Sequence, residues 1–159
     1  MKKLFLLIFS FLFTGVCIAS AETTLLQGSV TMVPKSFYGT WRVVSERVEQ
    51  NSNIFKEKSL DMWNLSCTGN VITLYNMFNG AKAEINVEDA DQKHVIFTKK
   101  GSYGKKKLID KADIYIDGDT FSGYDYIRIQ TFVNGKIVKT ESAKFKIKGE
   151  KIGGGIAED

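Results

Sequence analysis

Apolar and polar residues alternate with a period of two along most of the chain from Phe37 onward, which is the pattern of strands with one buried face. The alternation is clearest over residues 81–88, where Ala83 and Ile85 share one face and polar residues share the other. Turn residues interrupt the pattern at short intervals, so the chain predicts about eight strands. These strands are predicted over residues 39–48, 60–67, 71–78, 81–88, 94–99, 108–116, 121–133 and 137–148.

The predicted strands are joined by hairpin-length turns. Asn79-Gly80 and Asn134-Gly135 are typical of tight hairpins, and Asp117-Gly118 indicates another. Residues 101–107, rich in glycine and lysine, are predicted as a longer mobile loop. No twelve-residue segment has a helical period, so we expect an all-β fold, an antiparallel up-and-down meander of about eight strands. A meander of this length closes into a barrel, because a flat sheet would leave two edges exposed.

The N-terminal residues predict export. Lys2 and Lys3 precede an apolar run, and Ala19-Ser20-Ala21 places small residues where a signal peptidase cleaves. We therefore expect a signal peptide over residues 1–21, cleaved after Ala21, and a periplasmic or extracellular protein. The remainder is predicted to comprise an N-terminal leader segment (22–36), a β-barrel domain (37–150) and a flexible tail (151–159).

Charge and cysteine content narrow the classes of function. The predicted signal peptide holds two of the 22 Lys and Arg residues and none of the 18 Asp and Glu residues, so the remainder has a net charge of +2. This near balance gives no indication of nucleic-acid binding. Outside the signal peptide, Cys67 is the only cysteine and His94 the only histidine. We therefore expect no internal disulfide, no metal site and no cofactor.

One short motif resembles a known group of barrels. Gly39-Thr40-Trp41, at the start of the first strand, resembles the signature shared by lipocalins, fatty-acid-binding proteins and avidins, the calycin group. The resemblance implies that Trp41 packs at the closed end of the barrel and that Gly39 lets the strand bend there. Tyr124-Asp125-Tyr126 resembles the second lipocalin motif. The Arg that lipocalins carry late in the last strand is absent here, and Arg128 is its candidate replacement.

A lipocalin-like barrel predicts a binding function. An eight-stranded barrel either fills with side chains or holds one small ligand. We expect an exported binding protein for a small hydrophobic ligand, with polar groups at the mouth of the site. The alternative is a solid-cored envelope barrel that acts through its loops as a protein-interaction or hydrolase-inhibitor module. The predicted ligand-binding residues are Leu74, Ala83, Ile85, Ile114, Tyr126, Arg128, Ile129 and Phe145.

The remaining candidate chemistry is sparse. Lys105, Lys106 and Lys107 indicate either a solvated loop or a contact with an anionic envelope surface. The chain has no Gly-x-Ser-x-Gly turn to pair with His94, so we do not expect an enzyme. An enzyme on the same barrel is the third and least supported hypothesis. A continuous interior void of several hundred Å³ would favour the carrier over the solid-cored module.

Overall fold

The protein folds as a closed β-barrel. The structure, a computed structural model, describes residues 33–154 and 157–158. The predicted signal peptide and most of the leader segment therefore lie outside the described residues. The elements are a short 3-10 helix (Lys35–Phe37) followed by β1 (Gly39–Gln50), β2 (Lys58–Thr68), β3 (Val71–Asn76), β4 (Lys82–Ala90), β5 (His94–Tyr103), β6 (Lys106–Asp117), β7 (Thr120–Val133), β8 (Lys136–Gly154) and β9 (Ala157–Glu158).

The strands form the predicted up-and-down meander. Each of β1 to β7 pairs antiparallel with the next strand, and β1 also pairs with β8, which closes the ring. The prediction of an all-β, eight-stranded antiparallel barrel is confirmed. β8 extends to Gly154, into the segment predicted as a flexible tail, because Gly153 and Gly154 pair with the start of β1. β9 pairs in parallel with the end of β2.

The predicted loop over residues 101–107 is wrong. β5 and β6 continue to pair as far as Tyr103 and Lys106, and only Gly104 and Lys105 form the turn. Gly104 adopts a positive φ of 56°, which suits glycine in a tight hairpin. The lysines point into solvent while their backbone groups pair with the neighbouring strands, so a lysine-rich composition does not prevent strand formation here.

One end of the barrel is closed by aromatic packing. Phe37, in the 3-10 helix, and Trp41 are both fully buried. Trp41 Nε1 donates a hydrogen bond of 3.0 Å to the Phe37 carbonyl, and its ring lies 5.1 Å from that of Phe121. Gly39 has a φ of 134°, which side chains rarely adopt, so the glycine is needed where the chain turns into β1. Trp41 is therefore buried at a closed end, as the resemblance implies.

The last strand supplies a cation to this closed end. Lys151 Nζ lies 5.2 Å from the centre of the Trp41 ring and donates a hydrogen bond of 2.9 Å to the Ser36 carbonyl. Arg128, the predicted replacement for the missing arginine, is exposed on the outer face of β7. That prediction is wrong, because the alternation in β7 turns Phe121 and Asp125 inward and therefore turns Arg128 outward.

The opposite end of the barrel is more open. Pairing between β4 and β5 stops at Ile85↔Lys99, so within the described residues the first part of β4 and the last part of β5 do not pair with each other. The loop between β1 and β2, residues 51–57, covers another part of this end. Its Ser52 hydroxyl donates to Glu141 at 2.5 Å, and the ring of Phe55 packs 6.4 Å from that of Phe145.

Candidate functional site

A cavity of about 330 Å³ occupies the open half of the barrel. Its apolar walls come from Trp63 on β2, Leu74 on β3, Ala83 on β4 and Phe145 on β8. Lys82 and Ala83 on β4 and Lys100 and Gly101 on β5 also line the cavity, and they stand on opposite sides of the unpaired gap between those two strands. The cavity therefore extends from the gap into the barrel interior.

The predicted ligand-binding residues divide into three groups. Leu74, Ala83 and Phe145 line the cavity. Ile85 and Ile114 are buried in the barrel core but do not line the cavity, and Ile129 is half-buried on the same face of β7 as Asp125. The third group, Tyr126 and Arg128, lies on the outer face.

The placement of Tyr126 and Arg128 at the mouth of the interior site is wrong. Both side chains line a separate groove on the outer surface, beside Lys111 and Lys144. The cause is the pleat of β7, which sends alternate residues to opposite faces, so that Asp125 and Ile127 line the interior cavity instead.

A cluster of charged residues lies on the inner wall of the cavity. We call Asp61, Lys99, Asp110 and Asp125 the polar cluster; all four line the cavity. Lys99 on β5 and Asp110 on β6 are directly opposite in the sheet, and their Nζ and Oδ2 atoms form an ion pair of 2.7 Å. Lys99 Nζ also lies 4.9 Å from the centre of the Trp63 ring. Asp61 accepts a hydrogen bond of 3.0 Å from the Asn76 amide.

Two carboxylate oxygens in the polar cluster lack a donor. Oδ1 of Asp110 and Oδ1 of Asp125 are buried, and no donor among the described residues reaches either atom. A buried acceptor without a partner costs free energy, roughly 1–3 kcal/mol, and more for a charged group. A proton on one of the two carboxyl groups, or an external donor, would satisfy these acceptors.

Burial keeps Asp125 in its neutral form more readily than an ordinary aspartate. Loss of solvation raises the pKa of Asp125 well above its usual value, and the nearby negative charge of Asp110 raises it further. A hydrogen bond between the two carboxyl groups also raises the pKa of Asp125. The pair resembles other adjacent carboxylates in that both cannot ionise easily at once.

Lys99 remains an ammonium group. Burial by itself would lower the pKa of Lys99, but the charges of Asp110 and Asp125 and the ion pair with Asp110 outweigh it and raise the pKa. A protonated amine has no free electron pair, so Lys99 is not set up as a nucleophile. In this geometry it is the cation that pairs with the Asp110 carboxylate.

Other chemistry-bearing residues lie apart from the cavity. His94 Nε2 is 2.8 Å from Asp113 Oδ1, and the histidine ring stacks on Tyr115 with 4.1 Å between ring centres. Cys67 is a half-buried free thiol whose Sγ lies 3.2 Å from the Gly69 carbonyl. In the described part of the chain, no three His, Cys, Asp or Glu side chains are grouped so that they could hold a metal ion. Among the same residues, no helix has the length and apolar content needed to cross a membrane.

The polar cluster was missed by the sequence analysis, although the alternation contains a signal for it. Lys99 is in phase with the buried Val95 and Phe97, and Asp110 is in phase with the buried Ala112. A charged residue that continues an apolar face on two adjacent strands indicates a buried ion pair.

Comparison with known proteins provides no relative. No protein-family model, no curated protein and no solved structure matches this chain.

Proposed function

We propose that this protein is exported and binds a small molecule in the open half of its barrel. The observation that supports the proposal is the cavity of about 330 Å³, which falls at the lower end of the size range of ligand sites. A solid-cored barrel would have no such space, so the cavity favours the carrier over the module that acts only through its loops. Trp63, Leu74 and Phe145 offer walls for an apolar portion of the ligand.

The gap between β4 and β5 is the proposed route of entry. A ligand that passes between Ala83 and Gly101 reaches Trp63 without breaking any strand pairing, because the two strands do not pair at that level. Both residues are small, which leaves room for passage. A ligand held there would have one end near solvent and the other near the polar cluster.

The experiment fills the cavity from β4. Ala83→Phe places a large ring in the wall and is expected to abolish binding of an environment-sensitive apolar dye, with an overpacking cost of about 1–3 kcal/mol. Glu84→Phe is the matched control, because Glu84 is the neighbouring residue on the outer face of the same strand. Equal dye binding by both variants would contradict the proposed site.

A second measurement tests the function without a chosen ligand. Native mass spectrometry of protein purified from its own host is expected to show a co-purified small molecule. The same preparation of Ala83→Phe should lack it. If neither a co-purified molecule nor dye binding is found for the wild type, the carrier proposal is wrong and the loop-based module becomes the better one.

The open end supports a second candidate function, docking on an anionic lipid surface. Large apolar side chains are exposed at the tips of this end: Ile54 is 53% exposed, Phe78 57%, Tyr103 88% and Val138 59%. Lys105, Lys106 and Lys107 are exposed beside them. Exposed apolar residues flanked by lysines are typical of proteins that bind the interface of anionic membranes.

Vesicle co-sedimentation tests this second function. Wild type is expected to bind vesicles with anionic lipid more strongly than neutral vesicles, and replacing the three lysines by glutamine should remove the difference. Lys144, Lys146 and Lys148 on β8, replaced in the same way, provide the control for net charge. If binding does not depend on lipid charge, these lysines are solvated side chains that make no contact with an anionic surface.

A further inference from the structure

We infer that the ligand of the interior cavity carries a primary ammonium group, which binds between the carboxyl groups of Asp110 and Asp125. This inference rests on the proposed binding function and specifies the chemistry of the same site. It commits to a small amine with an apolar body. The hydrophobic ligand predicted from the sequence has no such group.

The first argument is the pair of unpartnered acceptors. Oδ1 of Asp110 and Oδ1 of Asp125 are buried and receive no hydrogen bond from the described residues, although both residues line the cavity. An ammonium group has three donor hydrogens and no acceptor, so it can satisfy two carboxylate oxygens at once. A neutral hydroxyl has one donor and could satisfy only one of them.

The second argument is the balance of charge around Asp125. It faces Lys99 from β5, Asp110 from β6 and Asp61 from β2. Ser45 on β1 and Phe145 on β8, which also line the cavity, carry no charge. Three carboxyl groups therefore share one ammonium, that of Lys99, and its Nζ is already paired with Asp110 Oδ2. The two other lysines that line the cavity, Lys82 and Lys100, are exposed at the gap between β4 and β5. The inner end of the cavity therefore lacks positive charge, and an anionic ligand group there would add to the excess of negative charge.

A proton on Asp125 takes the place of the missing positive charge when the cavity is empty. The raised pKa of Asp125 is the physical expression of this deficit. When an ammonium group enters, Asp125 ionises and its proton leaves to solvent, so the ligand cation replaces the proton one for one. Binding of an amine is therefore coupled to release of a proton, while binding of a neutral molecule is not.

A metal ion is a poorer occupant of the same place. The polar cluster does not bring three of its carboxylates into a metal-binding arrangement, since no such group is found in the described residues. The ammonium of Lys99 lies within 2.7 Å of Asp110 and would repel a divalent ion more strongly than a single positive charge. The nearby ring of Trp63 provides an apolar surface for the body of an organic cation.

The experiment compares three molecules of one skeleton: 2-phenylethylamine, 2-phenylethanol and phenylacetate. We expect the amine to bind at least about tenfold more tightly than the alcohol, which is the size of effect that one charge-assisted hydrogen bond gives. Phenylacetate should bind most weakly. Tryptophan fluorescence reports binding, because Trp63 lines the cavity. Calorimetry in two buffers of different ionisation enthalpy counts the protons released.

Asp125→Asn tests the coupling. The asparagine keeps the shape and donates its amide to Asp110, but it cannot ionise, so the preference for the amine and the release of a proton should both be lost. Asp117→Asn, which removes an exposed carboxylate at the opposite end of the barrel, is the control and should change neither. Should the Asp125 variant fold poorly, proton release and the rise of amine affinity with pH are measured on the wild type alone.

The outcomes separate this inference from the proposed function. Equal or tighter binding of the alcohol or of phenylacetate, binding of the amine without proton release, or no binding of any of the three would overturn the inference. The proposed function would survive each of these results as long as the dye or a co-purified molecule occupies the cavity and Ala83→Phe removes it.

Discussion

The two halves of the barrel are built on the same eight strands, yet they are filled in opposite ways. In the closed half, the Trp41 ring packs against that of Phe121, and Trp41 Nε1 donates its hydrogen bond to the Phe37 carbonyl. In the open half, Lys99 and Asp110 occupy equivalent inward positions beside a cavity. The closed half therefore contributes packing free energy, whereas the open half contains the charged residues on which the proposed binding function rests.

The same comparison explains why the open half tolerates charge. A buried ion pair contributes little net stability, because the loss of solvation offsets the attraction between the charges. Aromatic side chains that bury their full surface provide several kcal/mol each. A barrel whose closed half is densely packed can therefore keep an energetically costly cluster in its other half, where that cluster is available to a ligand.

The largest effect is expected in the closed half. Trp41→Ala should lower the free energy of unfolding by about 3–5 kcal/mol, the usual cost of deleting a fully buried large aromatic side chain. Urea denaturation measures it. Tyr103→Ala, at a position that is 88% exposed, is the control and should change stability by less than about 0.5 kcal/mol. A loss below about 1 kcal/mol for Trp41→Ala would contradict the role of the closed half.

The next effect tests the polar cluster. Lys99→Met leaves Asp110 buried without its cation and should cost about 3 kcal/mol, the lower end of the range for breaking a buried pair, because the carboxylate can take up a proton. The double variant Lys99→Met/Asp110→Leu should recover most of the loss, since both charges are then absent. If the double variant is no more stable than the single one, the ion pair is not the cause.

A smaller effect appears in the dependence of stability on pH. The raised pKa of Asp125 means that the folded protein keeps a proton that the unfolded chain releases near pH 4. The contribution of Asp125 is therefore fully present below about pH 4 and is lost as pH rises through its pKa in the folded protein, by at most about 1.4 kcal/mol per pH unit.

The measurement is the difference in stability between wild type and Asp125→Asn as a function of pH. Subtraction is needed because Glu88 also contributes to the dependence of stability on pH. The hydrogen bond from Lys111 lowers the pKa of Glu88, so the stability that Glu88 contributes is lost as the pH falls, opposite to that of Asp125. We expect the variant to gain on the wild type as pH rises. A difference that stays constant with pH would show that the pKa of Asp125 is the same in the folded and the unfolded protein.

The smallest effect is expected at the hairpin between β5 and β6. Replacing Lys105, Lys106 and Lys107 by glutamine should change the free energy of unfolding by less than about 0.5 kcal/mol, because all three side chains are exposed. Thermal melts measure it. A larger loss would show that these lysines take part in the packing of the open half.

The packing residues of the barrel were largely predictable from the sequence, and the polar cluster was not. Gly39 and Trp41 belong to a local motif, and alternation placed Ile85 and Phe145 on inward faces. Partners across strands are set by register, which alternation does not give, so the opposition of Lys99 and Asp110 emerged only with the structure. The composition of residues 101–107 indicated a loop, although β5 and β6 continue to pair with each other through most of this segment.

The contact between Lys151 and Ser36 depends on the step of folding that closes the barrel. These residues are 115 positions apart, and they meet only when β8 has paired with β1. Pairings of such large sequence separation form slowly, so the step that closes the ring is expected to take milliseconds to seconds. A chain that ends before Lys151 would leave the edge of β1 unpaired beside Trp41, a surface prone to association. Stopped-flow measurements on Lys151→Met test this expectation. If the variant refolds at the rate of the wild type but unfolds faster, the contact forms after the rate-limiting step of folding.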